Sequence, residues 1–279
     1  MMSSPRSTNL FFRSVATLIF ASAIAVGCSQ QRLTASSGGS GGTGNGTDDA
    51  NGVVNQPCQD QLQQLTVPIR MLFVVDTSGS NQNDPSQNWT GTDPMRQMRG
   101  GSIQAFFNSY GSKSNFRWAF NIFSGTTSSA LIGLTSSQPA FSTNSTAMQN
   151  AINLFYQTSD GGTTPYVAAL DLAHKAINDD KASATADTKY IVVFISDGMP
   201  EPAVADNILL PKVQAMVNLV PGRTTFNTVY YGPANADASS RLNRMSNTGG
   251  GKFLDTNANP AGKSFAIEDV INVPGTACR

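Results

Sequence analysis

The stretch PIRMLFVVDTSGS, residues 68–80, decides the fold of this protein. Its first eight residues form an apolar run that begins at a proline and ends at a turn rich in serine and glycine. That pattern is typical of a strand buried on both faces of a sheet. We therefore expect a central strand here, followed at once by a polar turn.

Further apolar runs follow along the chain, at residues 116–123, 190–195 and 226–231, with weaker ones at 130–134 and 252–254. Segments with helical spacing lie between them, and their apolar faces consist of Ile103, Phe106, Phe107 and Tyr110, of Val167, Leu170, His174 and Ile177, and of Ile208, Val213, Val217 and Val220. Strands that alternate with helices predict a doubly wound α/β domain, in which helices cover both faces of a mostly parallel central sheet. Ligands of such domains bind at the carboxyl ends of the strands.

The composition argues against several functions. The chain has 279 residues, with 18 Lys and Arg against 18 Asp and Glu, and a charged fraction of only 13%. A nucleic-acid partner is not expected, because no basic stripe is available to neutralise phosphates. Apolar runs also stay below the roughly 18 residues that a membrane-spanning helix needs.

The amino end has the pattern of a bacterial export signal. Two arginines precede an apolar stretch at residues 15–26, whose length falls within the roughly 7–15 residues of a signal core. The segment that ends at Cys28 resembles the lipobox of bacterial lipoproteins, which implies removal of residues 1–27 and lipidation of Cys28. By the same resemblance, Ser29 favours the outer membrane of a Gram-negative bacterium, whereas the periplasmic or extracellular orientation of the body stays open.

Residues 28–57 are rich in Gly, Ser, Thr and Asn and predict a flexible tether. The remaining residues, 58–279, would form the folded domain. Cys58 and Cys278 flank this domain, and export to an oxidising compartment favours a disulfide between them. Two unpaired thiols are the alternative.

Polar side chains cluster where the predicted strands end. Asp76, Ser78 and Ser80 follow the first buried run, and Asp197 follows the run YIVVFI. A third turn, GGTTP, precedes a predicted helix and suggests Thr164 as its N-cap, with proline at the first helical position. Three loops would thus bring two carboxylates and several hydroxyls to one edge of the sheet.

This set of oxygen atoms predicts a metal centre. Hard oxygen ligands without His or Cys suit Mg²⁺, with Mn²⁺ or Ca²⁺ as alternatives, and argue against zinc or copper. Two carboxylates and three hydroxyls leave an octahedral ion able to accept another anionic oxygen. An open coordination position is therefore expected.

The motifs DTSGS, TTPYVAAL and SDGMP, in this order, resemble the metal-ion-dependent adhesion site (MIDAS) of a von Willebrand factor type A domain. The resemblance extends over residues 68–272. It implies that Ser78, Ser80 and Thr164 offer hydroxyls to the metal and that Asp76 and Asp197 act mainly through bound water.

A carboxylate from an Asp or Glu of a protein ligand would complete the metal shell by this resemblance. Thr163 is the alternative to Thr164, whose spacing to the later Ala-Leu pair fits better. The polar stretch at residues 81–93 departs from the family pattern. Its Asp84, Trp89 and Asp93 could form a rim over the metal, or the stretch could be a solvated surface loop.

Two enzymatic interpretations are disfavoured, so no catalytic residues are expected. A phosphotransferase of the haloacid dehalogenase type needs a second acid where this chain has Ser78. A serine hydrolase needs a base, and His174, the one histidine of the chain, falls on an apolar helix face as a core imidazole would. The expected function is cation-dependent protein binding, and the alternative is a scaffold in an envelope or secretion complex whose partner binding does not need the metal.

Overall fold

The protein is described from a computed structural model, which covers residues 67–258 and 264–273. The predictions made for Cys28, Cys58 and Cys278, and for the signal and tether segments, lie outside these ranges. Within them, no helix combines the length and the apolar character that a membrane span requires.

A six-stranded sheet forms the centre of the fold, with strand order β3-β2-β1-β6-β7-β8. All neighbouring strands in it are parallel except the edge strand β3, which is antiparallel to β2. Strands β4 and β5 form a separate small sheet. The strands are β1 (Ile69–Asp76), β2 (Phe116–Ser124), β3 (Thr127–Ala130), β4 (Gly133–Thr135), β5 (Gln138–Pro139), β6 (Lys189–Ser196), β7 (Thr224–Tyr230) and β8 (Gly250–Asp255).

Helices cover both faces of this sheet. Helices α1, α2 and α6 pack on one apolar layer, and α3, α4 and α5 pack on the other. The doubly wound α/β fold is thus confirmed. The helices are α1 (Arg99–Tyr110), α2 (Ser145–Gln157), α3 (Tyr166–Asp180), α4 (Asp206–Val217), α5 (Ala236–Thr248) and α6 (Ile267–Val270).

Strand β1 is central and every one of its residues is buried, as the apolar run predicts. Its side chains alternate between the two layers, because Met71, Phe73 and Val75 face one side while Leu72 and Val74 face the other. Burial on both faces leaves only the ends of this strand for polar side chains. The strand therefore delivers Asp76 to the carboxyl edge of the sheet.

The helices differ from the sequence prediction in several places. The buried face of α4 consists of Leu209, Val213 and Met216, whereas Ile208 is 48% exposed. Apolar residues stand at both 208 and 209, so periodicity alone did not select the correct one. Helix α2 was not predicted, although its buried Met148, Ile152 and Phe155 have helical spacing.

Candidate metal centre

Asp76 is the last residue of β1 and is completely buried. Its Oδ1 accepts a hydrogen bond of 2.8 Å from the backbone N–H of Ser78. Its Oδ2 accepts one of 2.6 Å from the hydroxyl of Ser196, the last residue of the adjacent strand β6. The carboxylate is therefore held between the ends of two neighbouring parallel strands.

A chain of hydroxyls connects the turn after β1 to the turn after β6. The Oγ atoms of Ser78 and Ser80 lie 3.1 Å apart, and Ser80 Oγ donates to Asp197 Oδ1 over 2.9 Å. Asp197 is 4% exposed, and its Oδ2 is buried with no hydrogen-bond partner among the described residues. Four predicted ligands thus meet at one place, where one carboxylate oxygen lacks a partner.

Backbone hydrogen bonds bring the third predicted loop to the same edge. Gly79 N–H donates to the carbonyl of Gly162, and Gly161 N–H donates to the carbonyl of Thr77, each over 2.9 Å. The same loop carries Thr164. Its carbonyl accepts a hydrogen bond of 3.0 Å from the backbone N–H of Glu201, which lies in the loop after β6. The loop that carries Thr164 is therefore tied to both other loops.

Thr163 and Thr164 differ in what their hydroxyls do. The Thr163 hydroxyl donates to the carbonyl of Gly125, whose own N–H donates back to the Thr163 carbonyl over 2.9 Å. The Thr164 side chain is buried and makes no hydrogen bond within the part of the chain that the structure describes. Of the two, Thr164 retains a hydroxyl that is available to a ligand.

The expectation that Thr164 caps a helix beginning at Pro165 is wrong by one residue. Pro165 is itself the N-cap, with a ψ of 75° that lies outside the helical region, and α3 begins at Tyr166. The Tyr166 hydroxyl bonds to Ser196 Oγ at 2.9 Å and to the Gly198 carbonyl at 2.7 Å. The first turn of α3 thus supports the loop after β6.

Burial changes the protonation of the two carboxyl groups. Burial, and secondarily the charge of Asp197, raises the pKa of Asp76 from its ordinary value of 3.8 to about 7. Burial also raises the pKa of Asp197, although the nearby hydroxyls of Thr92 and Ser80 and the positive charge of Arg99 oppose this. Two anions in a low-dielectric site repel each other, so a divalent cation between them would lower both pKa values.

A completely buried arginine supports this edge, and sequence reasoning missed it. The Arg99 guanidinium donates to the carbonyl of Asp76, to Asp93 Oδ2 at 3.0 Å, and to both carboxylate oxygens of Asp160 at 3.2 and 3.1 Å. Burial alone would lower the pKa of Arg99, but Tyr231 and the two aspartates raise it. Arg99 therefore stays charged and joins β1 to the loop segments that carry Asp93 and Asp160.

The rim hypothesis fails for Asp93, which is buried because it neutralises Arg99. Residues 82–90 of that stretch form a mostly exposed turn, in which Asp84 and Trp89 exchange backbone hydrogen bonds of 2.9 and 3.0 Å. Trp89 is 48% exposed. Thr92 N–H donates to the Ser80 carbonyl over 3.0 Å, so the end of the 81–93 stretch is fixed to the turn after β1.

His174 lies on α3 and is half-buried rather than part of the core. It follows Tyr166 by eight residues, which corresponds to about 12 Å along the helix. Since Tyr166 marks the end of α3 next to the site, the geometry separates the imidazole from the serine hydroxyls.

The donor set fits a hard cation. Among the residues described, no three His, Cys, Asp or Glu side chains form a metal-binding group. A cation at this edge would therefore depend on hydroxyl oxygens in addition to Asp76 and Asp197. The unpartnered Oδ2 of Asp197 is an oxygen ligand of the kind that Mg²⁺ accepts.

Comparison with known families identifies the domain. The family model described as von Willebrand factor type A domain matches residues 71–269, which is well over half of the chain. The chain therefore belongs to the von Willebrand factor type A family. No curated protein matches it.

Solved structures of similar fold are distant in sequence. The vWF domain of the type V pili tip protein Mfa5 from Porphyromonas gingivalis is 13% identical, with a TM-score of 0.44, and the match covers 68% of this chain and 90% of that one. The pilus adhesin SpaC from Lactobacillus rhamnosus GG is 14% identical, with a TM-score of 0.47 and coverage of 67% and 28%.

The mussel byssus protein PTMP1, in a structure with a zinc-occupied MIDAS motif, is 12% identical, with a TM-score of 0.46 and coverage of 68% and 42%. This chain thus spans less than half of the SpaC and PTMP1 structures. At such identities the similarity concerns the fold alone.

Proposed function

We propose that this protein is a cation-dependent binding module, whose metal centre lies at the carboxyl ends of β1 and β6. The observation that carries this proposal is the unpartnered, buried Oδ2 of Asp197, beside an oxygen cluster that includes Asp76, Ser78 and Ser80. A buried carboxylate oxygen without a hydrogen-bond partner is costly, and a bound cation would compensate that cost. Mg²⁺ is the proposed ion, and Mn²⁺ or Ca²⁺ could replace it.

The proposed ligand roles follow from the family resemblance and agree with the free hydroxyl of Thr164. Ser78, Ser80 and Thr164 would offer hydroxyl oxygens, while Asp76 and Asp197 would act mainly through water. The bound cation would supply a Lewis-acidic face that accepts a carboxylate oxygen. We therefore propose a protein ligand that presents an Asp or Glu side chain, and binding without chemical turnover.

The stretch at residues 81–93, which is mostly exposed between residues 82 and 90, would border the approaching ligand. Its Thr92 contacts the turn after β1 through the Ser80 carbonyl, while the Trp89 side chain remains half exposed. A ligand that carries an apolar residue near its carboxylate would therefore find an aromatic side chain on this stretch.

The cellular location is proposed from the sequence. Lipidation of Cys28 would attach the protein to the envelope, and residues 28–57 would hold the domain away from the outer membrane. A disulfide between Cys58 and Cys278 would join the ends of the domain. Mass spectrometry of the mature protein, with and without reduction, tests both modifications, and an unmodified Cys28 would refute the anchor.

The metal proposal is testable through water exchange. Mn²⁺ bound to the mature protein should enhance water proton relaxation, because exchangeable water occupies the open position. Acetate should reduce this enhancement by replacing that water. Asp171, an exposed residue paired with Lys212, provides the control variant Asp171→Asn. If the Asp76→Asn and Asp171→Asn proteins enhance relaxation equally, the proposed site is wrong.

One observation favours the alternative scaffold function. Hydrogen bonds from Ser80 to Asp197 and from Ser196 to Asp76 already join the loops without an ion. A preformed edge of this kind could dock a partner in an envelope or secretion complex without metal. Partner capture that persists unchanged in EDTA would support this function and contradict cation dependence.

A further inference from the structure

Two arginines stand side by side at the opposite, amino-terminal edge of the sheet. Arg70 on β1 is paired in register with Arg117 on the parallel neighbour β2. Paired residues of adjacent strands point to the same face, so both guanidinium groups emerge on one side. Arg70 is 4% exposed, and Arg117 is half-buried.

One acid compensates this pair of cations. Asp180 Oδ2 accepts a hydrogen bond of 2.8 Å from Arg70 Nε and another of 2.7 Å from the hydroxyl of Tyr190. Tyr190 is the register partner of Arg70 on its other side, in β6. Within residues 67–258 and 264–273, the Arg117 side chain has neither an ion pair nor a hydrogen bond. Arg70, Arg117 and Asp180 together therefore carry one positive charge in excess.

Both arginines line a cavity of about 430 Å³. The described residues of its wall include no Asp or Glu. They include Ser114, Asn115, Thr143, Thr185 and Thr188, and the hydroxyls of the last two share a hydrogen bond of 3.0 Å. Arg117 also borders an adjoining cavity of about 390 Å³, whose acids Asp179 and Asp180 are already paired with Lys175 and Arg70. The first cavity thus combines a surplus cation with neutral hydrogen-bond donors.

We infer that this cavity binds an oxyanion group with a single negative charge. Guanidinium groups bind carboxylates, sulfates and phosphates through two parallel hydrogen bonds. Like charges on neighbouring strands repel each other, and an anion that lies between them removes this repulsion. A single charge matches the surplus at Arg117. The class therefore comprises carboxylates, sulfate monoesters and phosphodiesters.

This site is separate from the proposed metal centre. Five residues of β1 lie between Arg70 and Asp76. The six steps from one to the other correspond to about 20 Å along the strand. The inference goes beyond cation-dependent binding, because it needs no ion at Asp76. The failure of one proposal would leave the other standing.

Amide chemical shifts in the mature protein test the inference. Acetate, methyl sulfate and dimethyl phosphate would be titrated separately at constant ionic strength, with chloride as the reference anion. At least one probe should cause saturable shifts near Arg117 with a millimolar dissociation constant. Acetate alone would identify a carboxylate ligand, whereas the ester probes would identify a sulfated or phosphodiester ligand.

Variants give the decisive comparison. Arg117→Gln should weaken the binding of the effective probe by roughly tenfold or more, which corresponds to about 1.4 kcal/mol. Arg117→Lys should retain part of the affinity, because it keeps the charge but loses the planar fork. Arg244→Gln, at an exposed residue paired with Asp206, is the control and should bind as the wild type does. Absence of saturation with all three probes, or unchanged affinity in Arg117→Gln, would overturn the inference.

Discussion

The Ser80 hydroxyl donates a 2.9 Å hydrogen bond to Asp197, a residue 117 positions further along the chain. This bond joins the turn after β1 to the turn after β6, and it leaves the second oxygen of Asp197 without a partner. The two turns are therefore joined without an ion, while one buried carboxylate oxygen stays available to a cation.

The stability of the cation-free protein should fall as the pH rises from about 4 to about 7. The folded state raises the pKa of Asp76 from 3.8 to about 7, so in this window it binds more protons than the unfolded state does. The stabilising contribution of the protonated carboxyl is fully present below pH 3.8 and is lost as the pH rises through 7. Since one pKa unit corresponds to about 1.4 kcal/mol, the loss is at most a few kcal/mol.

Urea unfolding in EDTA at several pH values measures this effect. Asp76→Asn removes the titrating group, so the wild-type stability minus that of the variant should decrease with rising pH. Saturating Mg²⁺ should reverse the trend in the wild type. A pH-independent difference between the two proteins would contradict the assignment.

Thr164→Val should weaken Mg²⁺ binding by at least about tenfold, because a hydroxyl ligand is replaced by a methyl group of similar size. Thr163→Val should lose its hydrogen bond to Gly125, at a cost of about 1 kcal/mol, but should keep its Mg²⁺ affinity. Calorimetry and thermal denaturation separate these effects. The reverse pattern would make Thr163 the ligand.

Gly232→Ala should disturb the metal centre through the backbone. A β-carbon at Gly232 would lie 1.9 Å from the carbonyl oxygen of Asp197, so the loop after β6 would have to shift. We expect destabilisation and weaker Mg²⁺ binding. Gly198→Ala is the matched control, because no atom lies within 4 Å of a β-carbon there. Equal Mg²⁺ affinities in the two variants would show that the close approach of Gly232 to Asp197 does not affect Mg²⁺ binding.

Arg99→Met should destabilise the protein by about 3–5 kcal/mol, because Asp93 and Asp160 would remain buried without their cation. Arg244→Met, at an exposed ion pair with Asp206, should cost no more than about 1 kcal/mol. Chemical denaturation of both variants measures the difference. A cost at Arg99 as small as that at Arg244 would refute its supporting role.

The fold, and the meeting of the candidate metal ligands at one edge of the sheet, could be predicted because their signals are local. The run that forms β1 is apolar on both faces, and Asp76, Ser78 and Ser80 follow it directly. Parallel strands end at one edge, so Asp197 was expected near them. The structure places these side chains in one hydrogen-bonded chain.

The buried ion pairs next to the site could not be predicted in the same way. Charged residues are usually exposed, and nothing local in the sequence marks Arg99 as completely buried. Its acceptors Asp93 and Asp160 belong to separate loops, so only the tertiary fold brings them together. The pairing of Arg70 with Arg117 likewise depends on the register of β1 against β2.

Calorimetric titration of the mature, EDTA-treated protein with Mg²⁺ tests the metal centre most directly. The wild type and Asp171→Asn should each bind one ion in a saturable manner, and Asp76→Asn should bind none in the same concentration range. A wild type that releases no binding heat and gains no thermal stability with Mg²⁺, Mn²⁺ or Ca²⁺, or an Asp76→Asn protein that binds Mg²⁺ as tightly as the wild type, would contradict the cation site.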